Sequence, residues 1–184
     1  MEATDLLMQE HRVIERVLAA LERAARRLAA GEAIAPDVFV QAAEFSKGFA
    51  DGCHHRKEEG TLFPAMEAAG VPREGGPIGV MLAEHEEGRR LSGAMRAAAE
   101  RLAAGDADAR TEVVRFAMGY VALLRQHILK EDNVLFPLAA RFLRAPAQAE
   151  LAEAFERVER DEAGEGAHET FLALAASIEK LAAQ

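Results

Sequence analysis

The chain of 184 residues is half apolar, 29% charged and only 5% aromatic, which suffices for one core without disulfides or a structural metal. A formal charge of -9 with no basic tract argues against electrostatic attraction to nucleic acid or an anionic membrane, so small molecules are the expected partners. The only cysteine, Cys53, excludes an intrachain disulfide, and no stretch resembles a secretory h-region or a membrane span, so a cytoplasmic location is expected.

Abundant Ala, Leu, Glu and Arg favour helix throughout. Leu7, His11, Ile14, Leu18, Leu21, Ala25 and Leu28 step by four and three, the stripe of a bundled helix that ends near Gly31 and Pro36. A second helix is predicted from about Asp37 to Ala69, stopped by Gly70 and Pro72. A third runs from about Ile78 to Ala104, with Met81, His85, Gly88, Ser92, Met95, Ala99 and Leu102 as its inward row. A fourth runs from about Asp108 to Arg144, with Ala117, Tyr120, Leu124, His127, Glu131, Val134 and Leu138 on one face. Beyond Pro146 one or two further helical segments are expected, about Ala147 to Arg160 and Ala167 to Ala183, divided by Gly164 and Gly166. Residues 1–145 are thus expected to form the bundle, and 146–184 a C-terminal helical extension packed on the same domain.

The second and fourth helices carry the same motif. Residues His54 to Pro64 and His127 to Pro137 both read H-x-x-K-E-x-x-x-L-F-P. A histidine and a glutamate four apart share one helix face, so both can reach the same small object. Leu7-Met8-Gln9-Glu10-His11 likewise resembles Met81-Leu82-Ala83-Glu84-His85, so each half of the chain begins with a lone helical histidine. Two hairpins, each with one lone His and one His/Glu pair, can pack with approximate two-fold symmetry around a common centre. Four imidazoles and two carboxylates are too many for one tetrahedral ion, but suit two ions bridged by Glu58 and Glu131. The two L-F-P triplets supply core side chains, and each Pro is expected to kink or end its helix just beyond the motif.

From about Leu6 to Phe142 these motifs resemble a hemerythrin-like (HHE) cation-binding domain. The shared order is a lone His, HHxKEExxLFP, a second lone His within E-H-E-E, and HxxKEDxxLFP. The resemblance implies an all-α, antiparallel up-down four-helix bundle around a non-heme di-iron centre with an oxo or hydroxo bridge, able to react with dioxygen. It implies as metal ligands His11, His54, Glu58, His85, His127 and Glu131. The chain departs from the oxygen-carrying hemerythrins, whose third helix supplies two histidines and whose fourth supplies a carboxylate five positions beyond its His. Here the third helix offers only His85, and Glu131 lies four beyond His127.

His55 and Glu59 form a competing pair one residue out of phase, and the repeat decides for His54 and Glu58, because His55 matches Ile128 and Glu59 matches Asp132. Both are expected on the surface or supporting the ligands, with His55 kept as an additional ligand candidate. Tyr120, seven residues before His127, is placed either to hydrogen-bond near the cluster or to pack in the core. Two Fe ions are the expected cofactor, with Zn or Mn as substitutes on the same donors. The expected function is binding of dioxygen or a related small molecule for storage, delivery or sensing. One alternative is an enzyme that removes hydrogen peroxide or nitric oxide, and another is a regulatory module responsive to iron or oxygen. No acid/base pair or second cofactor motif favours a specialised catalyst, so the reading leans away from an enzyme.

Overall fold

The computed structural model describes residues 3–160 and 166–184, and the regular structure among them is entirely helical. Helix α1 (Ala3–Ala29) follows the apolar stripe of its sequence and stops where Gly31 takes a φ of 90°, a conformation that a side chain disfavours. Helix α2 (Asp37–Phe45) continues without a break through wide π-helical turns at Ser46–His55 and Glu58–Leu62 into α3 (Phe63–Ala68). Helix α4 (Pro77–Ala103) starts with proline in its first turn, where no intrahelical donor is needed. Helix α5 (Ala109–Lys130) passes through a π turn at Glu131–Leu135 into α6 (Phe136–Phe142). Helices α7 (Ala145–Val158) and α8 (Ala167–Ala183) complete the chain. Gly164, expected to divide these last two, lies outside the described residues.

The prolines of the L-F-P triplets do not end their helices. Both rods run on as α3 and α6, and the turn ahead of each proline widens instead. The N–H of Phe63 donates to the carbonyl of Glu58, and that of Phe136 to the carbonyl of Glu131, five residues back in each case. A widened turn absorbs the missing proline donor and the crowding of its ring, and such turns recur at functional positions of helices.

Helix α4 packs against α5 and α2, and α1 packs against α5, α2 and α8. Helix α8 also lies on α2, while α7 touches α1 and the Glu58–Leu62 turn. The packing creates two apolar clusters. The larger includes Ile14, Leu21, Phe45, Phe49, Met95, Val121 and Ile178. The smaller includes Leu7, Phe63, Met66, Met81, Phe136 and Phe155.

The motif histidines fall at the seam between the clusters. On α1, His11 lies between Leu7 of the smaller cluster and Ile14 of the larger; on α4, His85 lies between Met81 and Leu91 in the same way. The phenylalanines of the repeated triplets close the layer from the smaller cluster. Phe136 stacks on His11 at 5.5 Å between ring centroids, and Phe63 on His85 at 6.0 Å. Among the described residues no helix is long and apolar enough to cross a membrane.

Because Ile178 of α8 is 0% exposed in the larger cluster, Ile178→Ala should destabilise the protein by about 2–4 kcal/mol in urea unfolding. Phe142→Ala, at a side chain that is 44% exposed, should stay within about 0.5 kcal/mol.

Candidate metal centre

Each half of the chain delivers its histidines and its glutamate to the seam, and the donors gather in two adjoining groups. One consists of His11, His54, Glu58 and Glu131, the other of His55, Glu58, His85 and His127. Within each group the donor atoms lie within 4.8 Å of one another. Glu58 belongs to both. Its Oε1 is 3.5 Å from His54 Nε2, and its Oε2 is 3.4 Å from His85 Nε2. Glu131 spans the same gap, with Oε2 3.1 Å from His11 Nε2 and Oε1 3.3 Å from His127 Nε2. The six residues expected from the sequence therefore meet at one place, with a carboxylate of each half reaching into both groups.

The imidazoles are held by their outer nitrogens. His11 Nδ1 donates to Asp132 at 2.7 Å, His54 Nδ1 to Glu10 at 2.9 Å, and His55 Nδ1 to Asp51 at 2.9 Å. His85 Nδ1 donates to Glu59 at 2.7 Å and His127 Nδ1 to Glu84 at 3.0 Å. An ionised carboxylate only accepts, so the proton of each neutral ring sits on Nδ1 and the lone pair of Nε2 faces inward. Basic residues fix these carboxylates in turn. Lys57 bonds Glu10, Lys130 bonds Glu84, Arg12 bonds Asp132, and Arg89 bonds Glu59 at 2.6 Å.

That inward orientation is unfavourable for the protein alone. His11 Nε2 and His54 Nε2 stand 3.0 Å apart, and His85 Nε2 and His127 Nε2 stand 3.1 Å apart, so wherever both rings are neutral their lone pairs face each other. All four carboxylate oxygens of Glu58 and Glu131, and Nε2 of His55, are buried with no hydrogen bond. Buried polar atoms of this kind are costly unless a cation or proton joins them. Metal cations satisfy every one of them: imidazole nitrogens and carboxylate oxygens are donors for divalent first-row ions, and a carboxylate behind each imidazole is the usual support of a ligating histidine.

The comparisons with known proteins agree with this geometry. The profile of the hemerythrin HHE cation-binding domain matches residues 2–139. The chain belongs to that family. It is also similar to an uncharacterized protein of Mycobacterium bovis and to two uncharacterized proteins from strains of Mycobacterium tuberculosis. Each is 30% identical over 178 residues, covering 97% of this chain and 69% of the relative. No solved structure matches the chain at a significant level. Membership of the HHE family implies cation binding, and the two His/Glu groups are where this chain can provide it.

The sequence leaves two residues of this HHE domain with alternatives. His55, expected on the surface or in a supporting place and kept as an additional ligand candidate, is 3% exposed and offers Nε2 to one of the two groups. Its ring stacks on His85 with centroids 3.8 Å apart. The wide turn at Ser46–His55 lets neighbouring residues 54 and 55 both face inward, which regular helical spacing disfavours. Tyr120 is absent from both groups, and its hydroxyl donates to Ser46 Oγ at 2.8 Å rather than to a site histidine. Glu59 does take the supporting place expected for it.

The sequence reading passed over Glu10, Glu84, Lys57 and Lys130, although each belongs to the repeat: the residue before the lone histidine, and the one before the motif glutamate. Asp51, one turn before His55, and Arg89 carried no repeat signal.

Burial sets the protonation of the metal-free site. It pushes His54 down to about 4 against the pull of Glu10, and pushes His55 well below its usual range. His85 is also lowered by burial. For His11, burial is overcome by Asp132 and Glu131, which raise it to about 9. Burial and the neighbouring Glu131 raise Glu58 well above a normal carboxyl, whereas Glu131 resists burial through His127 and His11 and falls to about 2. Two like charges in one dry space thus divide into a proton-holding and an ionised carboxyl.

Neutral His54 contributes stability that is full above the unfolded value of 6.5 and is lost as pH falls through about 4. Charged His11 contributes stability that is full below 6.5 and is lost as pH rises through about 9. The melting temperature of metal-free protein should therefore peak near neutral pH and fall on both sides. Metal loading should raise it and flatten the alkaline limb. Asp132→Ala should lower metal affinity by about 10–100-fold in a competition titration, because His11 loses its orienting partner.

Proposed function

We propose that this HHE protein is a non-heme di-iron protein that binds dioxygen or a related small molecule for storage, delivery or sensing. The four helical rods of residues 3–29, 37–68, 77–103 and 109–142 would act as an antiparallel up-down four-helix bundle around the centre. The observation that carries the reading is the enclosure of a nitrogen-rich donor set. His11, His54, His55, Glu58, His85, His127 and Glu131 are each no more than 3% exposed. Only a very small molecule fits so closed a place.

Five imidazoles and two carboxylates favour iron over magnesium or calcium, which prefer all-oxygen surroundings, while zinc and manganese remain able to use the same donors. Bound iron supplies the redox change and the open positions that a small oxidant needs. The protein residues do the rest. Glu58 and Glu131 offset positive charge from both sides, and the five outer carboxylates keep every Nε2 turned inward. His55 gives its group one imidazole more than the other, so the two positions are inequivalent. The flanking apolar clusters restrict water at the centre.

Residues 146–184 are proposed to belong to the same functional unit. Beyond the contacts of α7 and α8, Glu159 accepts a hydrogen bond from Lys57 at 2.5 Å, and Lys57 also holds Glu10 behind His54.

The test is optical spectroscopy of iron-loaded protein, reduced without air and then exposed to dioxygen and to peroxide. An absorption band that appears with dioxygen and disappears on its removal is the expected result, and His85→Ala should abolish it. Multiple-turnover loss of peroxide without such a band would favour the enzyme, and a spectrum indifferent to both oxidants would contradict the proposal.

A further inference from the structure

A cleft of about 560 Å³ opens between α4 and the rod that carries His54 and His55, a volume within the range of small-molecule sites. Small residues create it: Ala43 and Gly52 on one wall, Ser92 and Gly93 on the other. Their lack of bulk leaves a largely apolar floor. Lys47, Arg56, Arg89 and Arg96 stand around that floor with Asp51 and Glu59, so cations outnumber carboxylates in a chain whose net charge is -9. Arg89 lies between the two acids, donating to Glu59 at 2.6 Å and standing 3.4 Å from Asp51. Both acids are also held by imidazoles, Asp51 by His55 and Glu59 by His85. Arg96 pairs with an exposed glutamate, Glu100, in an ion pair open to solvent and weak enough to yield to another anion.

We propose that this cleft binds a small, mainly apolar molecule bearing one acidic group. The apolar part lies on the floor of small residues and the acid meets the rim cations Lys47 and Arg96. This ligand is distinct from the small molecule assigned to the metal centre, which is closed to anything of this size. Its place is nonetheless adjacent: Asp51 and Glu59 line the cleft and hold two of the histidines from behind. An occupant therefore touches the residues that orient one of the two donor groups.

The probe is anilinonaphthalene sulfonate, which is aromatic and anionic and fluoresces on leaving water, compared with uncharged phenylnaphthylamine. The full chain should bind the sulfonate saturably, and bind the uncharged probe at least about tenfold more weakly, a difference of about 1.4 kcal/mol. A Cβ at position 93 meets nothing within 4 Å, so Gly93→Leu adds bulk at the cleft wall from a position that starts without a clash. That variant should keep its helical circular dichroism and melting temperature while losing sulfonate affinity at least about tenfold. Reversal of the rim in Lys47→Glu with Arg96→Glu should weaken the sulfonate by a similar factor and leave phenylnaphthylamine unchanged. The proposal is overturned by absence of saturable sulfonate binding, by equal affinity for both probes, or by retention of full affinity in the rim-reversed protein.

Discussion

Two glutamates at the bottom of a dry space impose the main constraint on this fold. Glu58 and Glu131 are completely buried, and their carboxylate oxygens meet imidazole nitrogens in place of water. Removing such groups from water costs several kcal/mol each unless opposite charge meets them. Around them stand imidazoles whose outer nitrogens are already engaged, so that each neutral ring turns a lone pair to the centre. A sequence seeking only stability would fill this seam with apolar side chains, as it does on either side. The polar layer makes physical sense as a place for cations, and the HHE family to which the chain belongs is a cation-binding one.

The support is as repetitive as the ligands. In each half, the acid before the lone histidine holds the other histidine and is itself held by the motif lysine: Glu10 with His54 and Lys57, Glu84 with His127 and Lys130. The acid after the motif glutamate crosses to the other half, Asp132 to His11 and Glu59 to His85. The halves are thereby tied together through the histidines themselves. His55 breaks the symmetry, because its counterpart Ile128 packs in the apolar core.

Most of this was legible where the chain repeats itself. The helix limits followed from apolar stripes with glycine and proline punctuation, and the convergence of His11, His54, Glu58, His85, His127 and Glu131 followed from two copies of one pattern. The same repeat held Lys57, Lys130, Glu10 and Glu84, but charged residues on helices are so often solvated that their pairing drew no notice. The sequence leaves His55 between a supporting place and an additional ligand because a regular helix turns neighbours by 100°. The widened turn at Ser46–His55, which relaxes that rule, has no sequence signature as plain as a proline or a repeat. Tyr120 shares a face with His127 as its spacing required, yet Ser46 lies nearer to its hydroxyl than any ligand. The cleft beside α4 was not legible at all, since it arises from small residues on two rods brought together only by folding.

The central proposal is that the seam would hold two metal ions, with Glu58 and Glu131 each reaching toward both donor groups. Its most direct measurement is the number of ions bound per chain, obtained by titrating metal-free protein with ferrous iron without air. The account predicts saturation at two ions per chain. It also predicts that Glu58→Gln, which removes a charge reaching both groups, weakens both positions together. Saturation at one ion, or no saturable binding by protein that remains folded, would contradict it.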